Sequence, residues 1–300
     1  MMCRARALLG DSVFEAKQPI TYSTSYSGIG TPEYAFEVIQ SATGIPLLPI
    51  WALERDKVCQ AELINVGRRA HGGRPCVFGD IRDVIVDAGW RRRIGCVKGV
   101  KESPPVTLHG LGLQRLDVRT TCRCYAHTDA QHDLRRTHVH VAGTTCTDHS
   151  LLGKLKGDAG KNVKFYLVWI ALMRKLRPLV IIHENVVGFG TGSLSADLGD
   201  LYILCQSRFC ASSFGFPIRR KRQMCLLVLR SWMFHGLRSA GHSDKCTDSG
   251  VLRLIDLEGT LRHCCTRVRE LSWRDFLVAS DADHEEDLYY GPLYRNKLRQ

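Results

Sequence analysis

A cysteine follows an apolar run in the segment "VAGTTCTDHS" (Val141–Ser150), which places polar side chains on both sides of the thiol. The apolar residues before Gly143 predict a β-strand, so Cys146 is expected just beyond the carboxyl end of that strand. Nearby cations or a helix N-terminus favour the thiolate at such a place, which makes Cys146 a candidate nucleophile. The alternative is an ordinary thiol, one of thirteen in the chain.

A carboxylate and an amide end the next apolar run, "LVIIHENVV" (Leu179–Val187). Glu184 emerges from this run at the rim of an apolar wall, where a carboxyl group suits the role of proton donor. A thiolate and a proton donor that face the same electron-poor aromatic ring can add to it together. Cys146 and Glu184 are therefore predicted to act as a pair.

A glycine-containing turn, Ser27-Gly28-Ile29-Gly30, follows the first predicted strand and precedes a helix with Pro32 in its first turn. Glycines let the backbone approach a ligand closely, and a helix N-terminus favours negative charge. Thr31 is the predicted helix cap. An ordinary strand-to-helix turn is the alternative, because the third glycine of the dinucleotide-binding pattern is absent.

Acidic residues end the next two predicted strands. Glu54 follows the second strand, where an acid commonly accepts hydrogen bonds from ribose hydroxyls, and Asp80-Ile81 ends the third, where a carboxylate could receive an exocyclic amine. Either acid could instead cap a helix or turn. Taken in order, the three strand ends predict a pocket for an adenosine-bearing cofactor without pyrophosphate, and S-adenosylmethionine fits that description.

The elements that must position these residues alternate between strands and helices, which predicts a doubly wound, mostly parallel α/β sheet. Strands are predicted at 20–26, 47–53, 76–81, 137–143, 178–186, 200–205 and 223–229, and helices at 31–40, 55–67 and 161–176. The last of these helices is apolar nearly all round and is expected to be buried. Residues 84–136 interrupt the pattern and are interpreted as an insertion.

The overall charge and hydropathy narrow the class of protein. A net charge of +12 attracts polyanions, so nucleic acid is a reasonable partner. The run "FYLVWIALM" (Phe165–Met173) is too short to span a bilayer, and no secretory signal is recognisable at the N-terminus. An odd cysteine count then favours reduced thiols and an intracellular protein without a membrane partner, in the nucleus if eukaryotic and otherwise in the cytoplasm or nucleoid.

Six segments in a fixed order carry a family resemblance that is more specific than any one of them. They are "SYSGIGTPEYA", "ALERDKVCQ", "GDI", "AGTTCTDHS", "IIHENVVGFG" and "FGFPIRRKR", which extend over about residues 21–230. This set resembles the motifs of the cytosine-C5 DNA methyltransferases. The chain is thus similar to a divergent or C-terminally incomplete member of that family.

The resemblance implies a Rossmann-like methyltransferase fold and transfer of a methyl group from S-adenosylmethionine to C5 of a cytosine flipped out of duplex DNA. It implies Cys146 as the nucleophile that attacks C6 and Glu184 as the acid at N3. It also implies that Asn185 holds the loop, while Arg220 and Arg222 hold the base and the backbone. The cofactor pocket implied by the resemblance and the strand ends comprises Ser27, Gly28, Ile29, Gly30, Glu54, Asp80 and Ile81.

Domain limits follow from the same reading. Residues 1–230 are expected to form the catalytic domain, and residues 231–300 a short, irregular C-terminal region that is a candidate for a reduced target-recognition part. Two other functions stay open. One is an RNA (tRNA) cytosine-C5 methyltransferase, and the other is a catalytically impaired DNA-binding relative, because Thr145 stands where the family has proline before the cysteine.

A group of cysteines and histidines lies inside the insertion. Cys122, Cys124, His127 and His132 suggest a metal cluster, but their spacing matches no familiar zinc pattern. These residues are interpreted as a Cys/His-rich loop, and no metal site is predicted. The sequence alone therefore assigns these four side chains no chemistry.

Overall fold

The computed structural model describes residues 19–71, 75–96, 107–127, 130–145, 162–214, 216, 218–241, 247–256 and 259. The strands are β1 (Ile20–Ser25), β2 (Leu47–Leu53), β3 (Cys76–Phe78), β4 (Thr121–Arg123), β5 (Gln131–Asp133), β6 (Val139–Ala142), β7 (Val180–Asn185), β8 (Tyr202–Cys210) and β9 (Lys221–Leu229). The helices are α1 (Thr31–Thr43), α2 (Lys57–His71), α3 (Ala88–Cys96), α4 (Val163–Leu176), α5 (Gly192–Leu198), α6 (Arg230–Ser239) and α7 (Asp248–Ile255).

Within the described residues, seven strands form one sheet in the order β3-β2-β1-β6-β7-β9-β8. The pairs from β3 to β7 are parallel, whereas β9 runs antiparallel to β7. This confirms the predicted doubly wound, mostly parallel sheet, which is consistent with the Rossmann-like methyltransferase fold. The strand order reverses between β1 and β6, and ligands of such sheets bind beyond the carboxyl ends of the strands at that point.

Helix α4 lies at the centre of the core, and its buried residues are distributed around almost all of its circumference. Leu167, Trp169 and Ile170 have no exposed surface, as expected for a helix that is apolar all round. Ile181 on the adjoining β7 is equally buried. Strands covered on both faces need such continuous apolar runs, which is why this segment was recognisable in the sequence.

Local hydrogen bonds shift three predicted boundaries. Gly30, and not Thr31, is the N-cap of α1, and no side-chain cap is formed there. Helix α2 begins at Lys57, because the Asp56 side chain accepts from two amides of its first turn. Strand β3 ends at Phe78, since Asp80 caps a 3₁₀ turn over Ile81–Val84.

The predicted insertion contains regular structure where it is described. It includes α3 and a small antiparallel sheet of β4 and β5. A single β-bridge between Phe78 and Cys124 joins this segment to the edge strand β3, and a second bridge, Ile85 with Val118, lies within the segment. The insertion therefore covers the outer strand β3, and exposed strand edges are places where proteins commonly need such protection.

The chain forms two compact units, residues 1–209 with 222–260, and residues 210–221 with 261–300. In the first unit, Leu237 of α6 and Val251 of α7 pack with Ile203 of β8 in a small core of their own. In the second unit, the Ala211 amide donates to the Arg220 carbonyl at 3.3 Å. No helix in the described ranges is long and apolar enough to cross a membrane.

Candidate functional site

The predicted site residues follow the carboxyl ends of the parallel strands, which lie on one side of the sheet. The register of the described parallel strands aligns Phe78, Leu53, Ser25, Ala142 and His183 across the sheet. The segments that follow these positions carry the glycine turn, Glu54, Asp80, Gly143 and Glu184. Because parallel strands end at the same edge, residues far apart in the chain come together there.

The glycine turn requires its glycines. Gly28 and Gly30 have φ angles of 57° and 91°, in the left-handed region that favours glycine. A Cβ at Gly30 would also lie 3.3 Å from the Leu63 side chain, whereas a Cβ at Gly28 would meet nothing within 4 Å. Ser27 is buried and Ile29 is 62% exposed. The backbone at Gly28 is thus open to close approach by a ligand.

Glu54 holds the glycine turn in place. Its Oε2 accepts from the Gly28 amide at 2.9 Å and its Oε1 from the Asp56 amide at 2.8 Å. A carboxylate offers about four lone pairs, so capacity remains for two ribose hydroxyls. Glu54 therefore supports the loop, which the sequence did not indicate, and its role at a ribose stays a prediction.

Asp80 accepts more hydrogen bonds from the protein than Glu54 does. Its carboxylate accepts from the Arg82 amide at 2.9 Å and from the Arg82 guanidinium at 3.0 and 2.7 Å. Partial burial acts to raise the pKa of Asp80, but the hydrogen bonds from Arg82 outweigh it and lower the pKa. One lone pair remains for an exocyclic amine. Ile81, which follows it, is buried.

Tyr26 links the two acidic strand ends and was not singled out in the sequence. Its hydroxyl donates to the Phe165 carbonyl at 3.0 Å. Burial raises the pKa of Tyr26, and the negative charges of Asp80 and Glu54 raise it further. Both acids thus act electrostatically on the same buried side chain.

Glu184 lies beside the start of the loop that leads to Cys146. A Cβ on Gly143 would be 3.5 Å from Glu184 Oε2. Arg222 Nε donates to Glu184 Oε1 at 2.6 Å, and the Glu184 side chain is 38% exposed. Because β9 is antiparallel to β7, its first residues meet the end of β7, and this direction brings Arg222 to the carboxylate.

Asn185 anchors the same loop from beneath. Its Nδ2 donates to the carbonyl and to the hydroxyl of Thr144, at 3.1 and 3.0 Å. The Thr144 hydroxyl is also 2.7 Å from His183 Nε2. Burial lowers the pKa of His183 to about 3, so the ring is neutral at ordinary pH. Thr144 and His183 are the positioning residues that the sequence analysis missed.

Two predicted site residues, Cys146 and Arg220, are not among the described contacts of the candidate site. Cys146 lies outside the described residues, and the chain is described as far as Thr145, which is exposed. Arg220 is exposed and belongs to the second unit. The described geometry therefore unites Glu184, Asn185 and Arg222 at one end of the candidate site.

Ser23, His140 and Trp169 form a buried hydrogen-bonded network in the core below the loop Gly143–Thr145. His140 Nδ1 lies 2.9 Å from the Ser23 hydroxyl, and its Nε2 accepts from the Trp169 indole at 3.2 Å. Burial lowers the pKa of His140 to about 3, with His183 contributing. His140, on β6, therefore lies in the core as a neutral ring with Nδ1 protonated.

Glu33, behind the glycine turn, predicts a pH-dependent stability. Burial raises its pKa from 4.5 to about 7, although Thr24 donates a hydrogen bond to it. Its contribution to stability is complete below pH 4.5 and is lost as pH rises towards 7, because ionising the buried group then costs energy. Relative to wild type, Glu33→Gln should gain about 2–3 kcal/mol in unfolding free energy between pH 4.5 and pH 8. Urea denaturation at both pH values measures this change.

Glu37→Gln, one turn further along α1, is the matched control and should change by less than about 0.5 kcal/mol. A difference between Glu33→Gln and wild type that is the same at both pH values would contradict the buried-acid interpretation.

Comparisons with solved structures show distant similarity to methyltransferases. The S. pombe Dnmt2 methyltransferase aligns with a TM-score of 0.40 and 14% identity, over 71% of this chain and 50% of that chain. A putative DNA modification methyltransferase encoded within an E. coli prophage gives 0.39 and 15%, over 71% and 47%. The Entamoeba histolytica methyltransferase EhMeth gives 0.40 and 12%, over 71% and 53%. The chain spans about half the length of these proteins, and no protein-family model and no curated protein sequence matches it.

Proposed function

We propose that this chain belongs to the cytosine-C5 DNA methyltransferases and transfers a methyl group from S-adenosylmethionine to cytosine in DNA. The observation that carries the proposal is that Glu184 and Asn185, at the end of β7, lie against the loop Gly143–Thr145 that follows β6. Consecutive Cα atoms are about 3.8 Å apart, so Cys146 follows directly on a loop that Asn185 anchors. Nucleophile and acid then serve the same base.

The residues divide the reaction between them. The Cys146 thiolate adds to C6 of the extruded cytosine while Glu184 gives a proton to N3, which makes the ring accept the electron pair. Arg222 orients the Glu184 carboxylate through their ion pair, and Arg220 binds the base or its phosphates. After C5 has gained the methyl group, a base removes the C5 proton and the C6–sulfur bond breaks, which restores the cysteine, while the proton on N3 returns to Glu184.

The cofactor pocket is supported by the free bonding capacity at the strand ends. Glu54 would hold the ribose hydroxyls and Asp80 the adenine amine, while Gly28 lets the cofactor approach the backbone. When bound, S-adenosylmethionine supplies an electrophilic methyl group on its sulfonium. The net charge of +12 supports an acidic polymer as the substrate, because basic side chains that displace counterions provide much of DNA affinity.

The decisive experiment measures methyl transfer by the purified full chain. Labelled S-adenosylmethionine is incubated with duplex DNA or with tRNA, and label incorporated into each polymer is counted. We expect incorporation into DNA at C5 of cytosine. Label in tRNA alone would establish the RNA enzyme, and DNA binding without transfer would establish an impaired relative.

A duplex that contains 5-fluorocytosine provides a second readout. Fluorine at C5 cannot leave as a proton does, so the enzyme should remain covalently attached to the base after methyl transfer. A band of protein-DNA adduct that survives denaturing electrophoresis is expected. Its absence in the presence of cofactor would contradict the covalent mechanism even if some label were transferred.

Glu54→Gln should weaken S-adenosylmethionine binding by about 10–100-fold, because hydrogen bonds to a charged acceptor contribute more than those to a neutral amide. Isothermal titration calorimetry measures the dissociation constant. Glu62→Gln is the matched control, since Glu62 lies on α2 and accepts from Tyr34 at 2.9 Å. Equal affinities for Glu54→Gln and wild type would remove Glu54 from the cofactor pocket.

A further inference from the structure

Four potential metal ligands meet beside the outer strand β3, away from the candidate catalytic residues at the end of β7. They are the Cys76 and Cys124 sulfurs and one ring nitrogen each from His127 and His132, and all four atoms lie within 4.8 Å of one another. Cys76 is the first residue of β3, and His132 lies in β5. Cys124 directly follows β4, and His127 lies in the turn between β4 and β5. The set therefore joins the main sheet to the insertion.

The distances between these atoms are within about 0.4 Å of those in a tetrahedral zinc site. Zn–S and Zn–N bonds of about 2.3 and 2.05 Å at tetrahedral angles separate sulfur from nitrogen by about 3.6 Å. Cys76 Sγ lies 3.7 Å from His127 Nδ1 and 3.2 Å from His132 Nδ1, and Cys124 Sγ lies 3.2 Å from His127 Nδ1. Nδ1 of both rings thus points towards sulfur.

The backbone builds this arrangement without relying on the side chains. Cys124 forms a β-bridge with Phe78, and the Tyr125 amide donates to the Val77 carbonyl at 2.8 Å. The Cys124 amide donates to Ala130, which closes the turn that carries His127. The rings of His127 and His132 are stacked at 4.7 Å with planes 6° apart. The four ligands are therefore preorganised.

The chemistry of the set favours zinc. Two thiolates and two neutral imidazoles balance the charge of one Zn²⁺, which suits a half-buried site, and they are ligands that zinc prefers over oxygen-seeking metals.

We propose that Cys76, Cys124, His127 and His132 bind one structural zinc ion, which fastens the insertion to the edge strand β3. Binding releases the thiol protons, and the four protein ligands leave no position for substrate. The location agrees with a structural role. Cys76 is at the beginning of β3, whereas Asp80 and the cofactor pocket follow its end. This inference is independent of the proposed methyl transfer.

The sequence pattern pointed to a different set of four. Cys122 lies two residues before Cys124, but its sulfur is not one of the four ligand atoms that lie within 4.8 Å of one another. Cys76 takes the fourth place, although it is 51 residues from His127 and 56 from His132. No local spacing rule could have included it, because the pairing of β3 with the insertion is a tertiary contact.

Metal analysis of the purified full chain tests the proposal. After expression with zinc and gel filtration, wild type should carry about one zinc per chain, and Cys124→Ser less than about 0.1. Cys122→Ser is the matched control and should keep its zinc. Cobalt substituted for zinc should give the intense visible absorption of a tetrahedral site and a thiolate-to-cobalt charge-transfer band. A strong chelator should lower the wild-type melting temperature by about 5–10 °C.

Ligand exchange separates metal binding from folding. His127→Cys keeps four ligands and should retain zinc, whereas His127→Asn should bind it at least about tenfold more weakly. Wild-type protein without zinc and without the tetrahedral cobalt spectrum overturns the proposal. A Cys76–Cys124 disulfide found under reducing conditions, or equal zinc loss in Cys122→Ser and Cys124→Ser, overturns it as well.

Discussion

Cys146→Ser is expected to reduce methyl transfer to duplex DNA by about 10⁴-fold or more, as loss of a nucleophile does in other covalent enzymes. A serine hydroxyl is almost fully protonated at neutral pH and is a far weaker nucleophile than a thiolate, so C6 of the cytosine stays unattacked. Single-turnover transfer of labelled methyl groups measures the rate. Adduct formation with the 5-fluorocytosine duplex should disappear at the same time.

The matched control is Cys205→Ser, on β8, a half-buried cysteine to which no role in the reaction is assigned. It should transfer methyl groups at the wild-type rate. Cys146→Ser should also bind S-adenosylmethionine and DNA as wild type does, since neither the glycine turn nor the arginines are altered. Activity in Cys146→Ser within tenfold of wild type would identify a different nucleophile.

Glu184→Gln should lower the rate of transfer by about 10²–10⁴-fold, the range typical of a lost general acid. Glutamine fills the same space and can still accept from Arg222, but it has no proton to give to N3, so C6 remains a poor electrophile. The dissociation constant for S-adenosylmethionine should stay within about twofold of wild type, because the proposed cofactor pocket lies at other strand ends. Rapid-quench kinetics at saturating cofactor and DNA measures the chemical step.

A folding defect is separated from lost chemistry by Glu37→Gln, a carboxylate-to-amide change on α1. This control and Glu184→Gln should both melt within about 2 °C of wild type, whereas only Glu184→Gln should lose the chemical step. If Glu184→Gln reacts within threefold of the wild-type rate, proton donation at N3 must be assigned to another group. Adduct formation with the 5-fluorocytosine duplex should slow in parallel with the chemical step.

Strong local patterns explain why much of the sheet could be predicted. The run before Glu184 is continuously apolar, and the strand at β2 has the bounds that were expected from its sequence, Leu47–Leu53. Helix α4 was recognisable because it is apolar on every face. Boundaries set by side-chain caps were less accurate. Asp56 and Asp80 each end or begin an element through hydrogen bonds that a periodic pattern does not contain.

The site could be predicted only as a set of strand ends. Glycines and acids after apolar runs marked Gly28, Glu54 and Asp80, but the hydrogen bond between Gly28 and Glu54 depends on strand order. Thr144 and His183 escaped notice because a threonine and a histidine next to a strand have many uses. Their role at this site depends on the pairing of β6 with β7, which brings them within 2.7 Å.

The sequence by itself determined the seven strands of the main sheet, the buried helix α4 and the polar residues at the ends of strands, because these properties follow from the periodicity of neighbouring residues. The tertiary structure decided the rest. The antiparallel direction of β9 brings Arg222 to Glu184, and the bridge between β3 and the insertion brings Cys76 to Cys124. Both are contacts between distant parts of the chain, whose formation depends on the packing of the whole sheet and on no local pattern.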